Sequence, residues 1–255
     1  MMSPARLVSY LLALACCVFE PPRVLTAGAP DWARFRGPNG SGISTATKVP
    51  TEFGHDKHLL WKLPLPQGHS SPILQGDRIY LTALRDDTLV AIAIDRGTGK
   101  IVWERGAPKV KTVVVDKRNN PASPSPAVEE NGVYVFFPDY GLIGYDRTGK
   151  QLWTMPLGPF NNIYGMGASP VIVGDHVVLA CDQSVGSYVM AVNKRTGRVA
   201  WKVDRPEAKS GHSTPILWRG PDGKDQVILP GSFLLTSYDA ATGRKLWWSE
   251  GCRSR

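Results

Sequence analysis

The amino-acid sequence predicts an all-β protein, a β-propeller of four-stranded antiparallel blades, and three observations carry that prediction. A turn running Gly, then a basic residue, then Trp recurs four times, with Gly99, Gly149, Gly197 and Gly243 at intervals of 50, 48 and 46 residues. Such a period belongs to repeat architectures. Four Ser-Pro or Thr-Pro pairs keep phase with it, their prolines at Pro72, Pro126, Pro170 and Pro215. Between these marks each period breaks into short runs of β-branched and aromatic residues separated by turn residues, with no long amphipathic helix pattern after the first 28 residues.

Within the first period, strands are expected over 71–75, 78–84, 88–94 and 100–103, joined at Gly76-Asp77, at 85–87 and at the Asp95 turn. The same order runs from Ser125-Pro126 through Asn131-Gly132 to Trp153, from Ser169-Pro170 through Gly174-Asp175 to Trp201, and from Thr214-Pro215 to Trp247. Proline is permitted at the first residue of a strand, where no ladder donor is required. The Thr-Gly pair suits a hairpin corner, because Gly accepts positive φ and Thr or Asp can bond back to the turn. Two residues before each turn's Asp or Asn stands a small residue, Ala93, Gly144, Ala191 or Ser237, expected to give the neighbouring blade's indole a flat seat. Trp103, Trp153, Trp201 and Trp247, with their four glycines, are therefore expected to dock blade on blade rather than to catalyse.

The chain has 255 residues, 42% hydrophobic and 20% charged, a globular composition. Residues 1–28 are set apart as a signal peptide: Arg6 precedes an apolar run over 7–19, too short to span a bilayer and bounded by Glu20 and Pro21-Pro22. Cleavage after Gly28 or after Ala29 remains open. Export to the periplasm or the exterior is expected, without a lipid anchor, because Ala13-Leu14-Ala15 before Cys16 lacks the large-to-small order of acylated leaders. Residues 29–58 form an N-terminal extension, 59–248 the repeats, and 249–255 a polar tail with no strand pattern.

Cys16 and Cys17 fall within the leader, which leaves Cys181, in an apolar strand and expected as a buried free thiol, and Cys252. The net charge of +8 favours anionic partners in general. The densest basic stretch, 109–118, is broken by Val113-Val114-Val115 and lacks interleaved aromatics, which argues against nucleic-acid binding. The Gly-x-Ser-x-Gly, phosphate-loop and His-Glu-x-x-His signatures are absent.

The four turns resemble the tryptophan-docking motif of the PQQ-like (pyrroloquinoline-quinone repeat) β-propeller family, Ala-x-Asp-x-x-Thr-Gly-Lys-x-x-Trp, over roughly residues 59–248. The opening 31–42, Asp-Trp-Ala-Arg-Phe-Arg-Gly-Pro-Asn-Gly-Ser-Gly, is similar to that of exported members, with Ala33 in place of a proline. Leu60-Trp61-Lys62 then looks like an outer strand with no blade before it. The resemblance implies closure at seven or eight blades, so four blades with this extra strand are expected to be part of such a ring, from a truncated or frameshifted reading frame rather than a complete four-bladed ring.

The family's enzymes hold PQQ with calcium through a Glu, an Asn and an Asp, with an Asp base and often vicinal cysteines. The chain after the leader has no vicinal cysteines, and its blade-to-blade connections offer no suitable Glu; Asp139 and Asp182 are read as strand-end turn residues. PQQ with calcium is thus implied by the resemblance alone. Exported propellers that assist outer-membrane protein assembly share the repeat and need no cofactor. The expected function is a non-catalytic binding or scaffold module with a protein partner or small ligand on the propeller face; the alternative is a PQQ-dependent dehydrogenase or a fragment of one. Candidate ligand residues lie on the connections between blades: His69 and His212, each three residues before a strand-opening proline, with Asn161, Asn162 and Tyr164. A polar ring at the channel mouth is one reading of them, and backbone satisfaction at repeated corners the other. No metal motif is formed.

Overall fold

The computed structural model describes residues 31–108 and 116–250; the leader with Cys16 and Cys17, most of the basic stretch, and Cys252 lie outside the described residues. Sixteen strands form four antiparallel sheets, each a meander of four in sequence order. Blade one holds β1 (Ile73–Gln75), β2 (Arg78–Arg85), β3 (Thr88–Asp95) and β4 (Ile101–Gly106). Blade two holds β5 (Ala127–Glu129), β6 (Gly132–Phe137), β7 (Gly141–Tyr145) and β8 (Gln151–Pro156). Blade three holds β9 (Val171–Val173), β10 (His176–Cys181), β11 (Tyr188–Asn193) and β12 (Val199–Asp204). Blade four holds β13 (Ile216–Arg219), β14 (Asp225–Pro230), β15 (Leu234–Asp239) and β16 (Lys245–Glu250). The fold is the expected β-propeller arrangement. β16 runs further than the polar sequence suggests, because Ser249 and Glu250 pair across with Leu235 and Leu234.

First strands of successive blades are neighbours, β1 beside β5 and β5 beside β9, which puts them on the inner side. Three apolar clusters lie between successive blades, and a fourth joins β2 and β3 of blade one to Trp61 and Leu63. Tyr80 and Trp103 pack with Val133 and Tyr145, Trp153 with Val177 and Met190, and Trp201 with Val227 and Tyr238. Seams of this kind give repeat proteins their nearest-neighbour energetics.

Each seam has the same polar signature. The indole Nε1 of Trp103 donates to the Arg147 carbonyl at 2.9 Å, that of Trp153 to Lys194 at 2.9 Å, and that of Trp201 to Ala240 at 3.1 Å. Each ring lies on the glycine of the next blade's turn: a Cβ on Gly149, Gly197 or Gly243 would fall 2.6 to 2.7 Å from it. These glycines have φ between 68° and 81°, so both backbone and space exclude a side chain. Trp61 stands over Gly99 in the same manner, its Nε1 on the Arg96 carbonyl at 2.9 Å.

The small residue before each turn serves a different purpose from the one expected. Ala93, Gly144, Ala191 and Ser237 are the cross-strand partners of Trp103, Trp153, Trp201 and Trp247. They make room for the blade's own indole; the neighbour's seat is the turn glycine. The turn is closed by its first residue. Asp95 Oδ1 accepts from the Thr98 amide and hydroxyl at 2.9 and 2.8 Å, and Asn193 and Asp239 repeat the pattern on Thr196 and Thr242. These bonds from Thr98 hold the Asp95 carboxyl below its ordinary value.

The Ser-Pro phase also has a cause. The Ser71 amide donates to Ser125 Oγ, the Ser125 amide to Ser169 Oγ and the Ser169 amide to Thr214 Oγ1, at 2.8, 2.9 and 3.0 Å. One hydroxyl per blade thus satisfies an amide of the blade before it, where an unpaired buried N–H would be costly.

Residues 31–42 run along the inner strands. Trp32 and Leu74 of β1 exchange both backbone hydrogen bonds, at 2.9 and 3.0 Å, Val128 of β5 donates to the Ala33 carbonyl at 2.9 Å, and the Asn39 amide pairs with the Leu217 backbone of β13.

Candidate functional site

β4, β8 and β12 all end on the face where their chains cross to the next blade, and the β10–β11 turn opens on the same face. The loop after β8 is stitched to that turn: Ser184 donates to the Asn161 carbonyl at 2.8 Å, and Asn161 donates to Gln183 Oε1 at 2.7 Å. Asn162 is buried, its Nδ2 on the Asp182 carbonyl at 3.3 Å and its Oδ1 accepting from Tyr164 at 3.1 Å. Both asparagines thereby shape the loop. They hold Ile163, Tyr164 and Val185 outward, 67%, 45% and 76% exposed.

A cavity of about 280 Å³ opens beside them, lined by Asp116, Arg118, Asn119, Tyr164, Gly167 and His212. The Tyr164 ring forms its aromatic wall, edge-on to His212 at 6.3 Å and under the Arg118 guanidinium at 5.6 Å. Asn119 Nδ2 donates to the Tyr164 carbonyl at 2.5 Å. Arg118 is held by Asp116 through two bonds of 2.7 and 3.0 Å, and these, with the Arg118 amide, bring the Asp116 carboxyl down to about 2. Burial lowers the His212 imidazole below its ordinary value, against a smaller pull from Asp182. Gly167 leaves the imidazole its room, since a Cβ there would lie 3.4 Å from His212 Nδ1.

The structure thus brings Tyr164 and His212 together. His69, at the equivalent place before blade one, is exposed and does not line the cavity. Asn161 and Asn162 support the wall from behind. Arg118, Asn119, Asp116 and Gly167 were not singled out from the sequence, although the first two stand in the connection 118–123, whose length and polarity set it apart.

Beneath this face lies an ion pair that the sequence does not announce. Asp182, read as a turn residue, is 2% exposed and accepts two bonds from Arg205, 0% exposed, at 2.8 and 3.2 Å; Arg205 also donates to Tyr238 Oη at 2.7 Å. Burial raises the Asp182 carboxyl, while for Arg205 burial works against the charge and the Asp182 bonds more than offset it. The triad ties the end of β10 to β15, so blades three and four are locked under the loop that carries His212. Cys181 is a free, buried thiol, its pKa pushed up to about 12 by burial.

The cavity's donors do not fit a calcium–quinone pair. Its single carboxylate, Asp116, is engaged by Arg118, and among the described residues no cluster of three or more His, Cys, Asp or Glu is arranged to hold a metal. Nor is any helix among them long and apolar enough to cross a membrane.

Comparison with known proteins places this geometry. A family model described as outer membrane protein assembly factor BamB matches residues 51–185 and 165–251. The outer membrane protein assembly factor BamB of Burkholderia pseudomallei (strain K96243) is 22% identical over 213 residues, which cover 80% of this chain and 50% of that protein. Among solved structures, a europium-containing methanol dehydrogenase superposes with a TM-score of 0.65 at 14% identity, over 88% of this chain and 49% of that one. BamB from Moraxella catarrhalis superposes with a TM-score of 0.51 at 18% identity, over 75% of this chain and 51% of that one. The chain spans about half the length of the relatives it matches. With a repeat model aligned over most of its length and the same blade seams throughout, the chain belongs to the BamB-type family of PQQ-like β-propeller repeat proteins.

Proposed function

We propose that this chain acts as a non-catalytic, exported binding module, and that a protein partner docks on the face carrying the blade-to-blade connections. The observation that supports this reading most is the outward trio Ile163, Tyr164 and Val185 around a cavity edged by Arg118 and Asn119. An aromatic and an Arg beside apolar side chains, on loops braced from behind, is the composition of a protein-binding hot spot. A BamB relative is described as an outer membrane protein assembly factor, and we place the partner in that same process.

The alternative, a quinone-dependent dehydrogenase, shares the fold, and fold does not carry function. Two measurements separate them. A photo-crosslinking residue at Ile163 or Val185 is expected to give a discrete protein adduct in cells, and one at Lys150, on the opposite rim, is not. Purified protein mixed with PQQ and calcium is expected to retain no quinone absorbance after gel filtration. Stoichiometric retention with dye-linked alcohol oxidation would overturn the non-catalytic reading.

A further inference from the structure

The inner strands present equivalent backbone groups toward the propeller axis. Leu74, Val128, Ile172 and Leu217 each stand two residues after the strand-opening proline of their blade. They are edge residues, with amides and carbonyls free to pair with an added strand. Residues 31–42 occupy three of the four positions. Trp32 forms an antiparallel bridge to Leu74, Ala33 accepts from Val128, and the Asn39 side chain copies a peptide group, donating to the Leu217 carbonyl at 2.7 Å and accepting from its amide at 2.8 Å. Among the described residues, Ile172 of β9 has no hydrogen bond to this segment.

At Trp32 and Ala33 the segment is held through backbone groups that any extended peptide has. Side chains add register. Asp31 accepts from Gln75 Nε2 and from the Gly76 amide at 2.8 and 2.9 Å, and Arg34 donates to the Pro215 carbonyl. Trp32 folds over Gly37, whose φ of 68° and lack of a Cβ permit the turn back. The tether is loose by comparison, since residues 43–60 are exposed throughout and their backbone pairing is confined to a Gly54–Lys57 bridge.

We propose that the axial edge of the inner strands is a peptide-binding groove working by strand addition, which the chain fills with its own residues 31–42 and which accepts an extended Trp-x-Arg peptide in trans. A tether of this length keeps the resident segment at an effective concentration on the order of millimolar. A competing peptide therefore binds weakly until the resident segment is loosened.

The test uses the full chain, its Trp32→Ala/Asn39→Ala variant, and a fluorescein-labelled synthetic peptide of residues 31–42 followed by polarization. Binding to the variant at least about tenfold tighter than to the parent chain is expected from that effective concentration, with a scrambled peptide binding neither. Equal affinity for both chains, or no binding to either, overturns the proposal. Hydrogen exchange on the unaltered chain guards against an unstable variant. The Leu74 and Leu217 amides are expected to be protected, to lose protection in the variant while β2, β6 and β10 keep theirs, and to regain it with peptide. Fast exchange of both amides in the unaltered chain would also overturn it.

Discussion

Replacing Gly197 by Ala tests the blade seam at a single atom. An added Cβ would fall 2.7 Å from the Trp153 indole, and Gly197 sits at φ 68°, so two separable penalties arise. The left-handed backbone costs roughly 1–2 kcal/mol for any residue with a Cβ. The overlap with a ring packed between Tyr134 and the turn adds roughly 1–3 kcal/mol, as overpacking does elsewhere. The Trp153→Ala change removes an 8% exposed indole and its bond to Lys194, and is expected to cost about 3–5 kcal/mol. In that background the overlap vanishes and only the backbone penalty remains. A double-mutant cycle by urea denaturation should therefore give a coupling of about 1–3 kcal/mol, the double variant being more stable than the sum of singles predicts. A coupling within about 0.5 kcal/mol of zero would refute the claim that the turn glycine is the seat of the preceding indole.

Three further outcomes are expected. Asp182→Ala should destabilise the chain by about 3–5 kcal/mol in chemical denaturation, because it strands the buried Arg205 charge; a loss below about 1 kcal/mol would show that the pair is solvated. His212 has its folded pKa below its ordinary value through burial, so the unfolded chain takes up the proton first. Its contribution to stability therefore declines as pH falls through about 6.5 and is fully lost below the folded pKa; His212→Ala should flatten that part of the pH–stability curve, and an unchanged curve would speak against it. Cys181, with its thiol pushed up to about 12, should stay unlabelled by iodoacetamide at pH 7.5 in the native state and react after unfolding, as followed by mass spectrometry of its peptide.

Much of the fold was legible because its instructions are local. Strand, turn and docking tryptophan each follow from residues within one period of about 50, and repetition in four copies averages out their individual ambiguity. The purpose of Ala93 and its equivalents was misplaced, because sequence spacing does not say whether an indole lies over its own strand or over the next blade. The ion pair of Asp182 with Arg205 was missed for a related reason: the partners are separated by the two strands β11 and β12, and neither residue carries a local sign of the other. In the site, Tyr164 and His212 stood out as unusual residues in repeated connections. Asp116, Arg118 and Asn119 meet them only when the connection after β4 folds across the face, which no periodicity encodes.

The docking geometry also imposes an order in time. Each indole is made before its seat: Gly149 follows Trp103 by 46 residues, Gly197 follows Trp153 by 44, and Gly243 follows Trp201 by 42. At roughly 5–20 residues per second of synthesis, every finished blade waits about 2–9 s with an uncovered tryptophan on its leading side. The nascent chain thus always exposes one sticky edge at its growing end, and that edge moves forward blade by blade. A ribosome pause placed within one of these intervals prolongs the exposure of a known indole, so slow synonymous codons between Trp103 and Gly149 are expected to lower the yield of soluble protein without altering a single residue, which a comparison of soluble fractions checks.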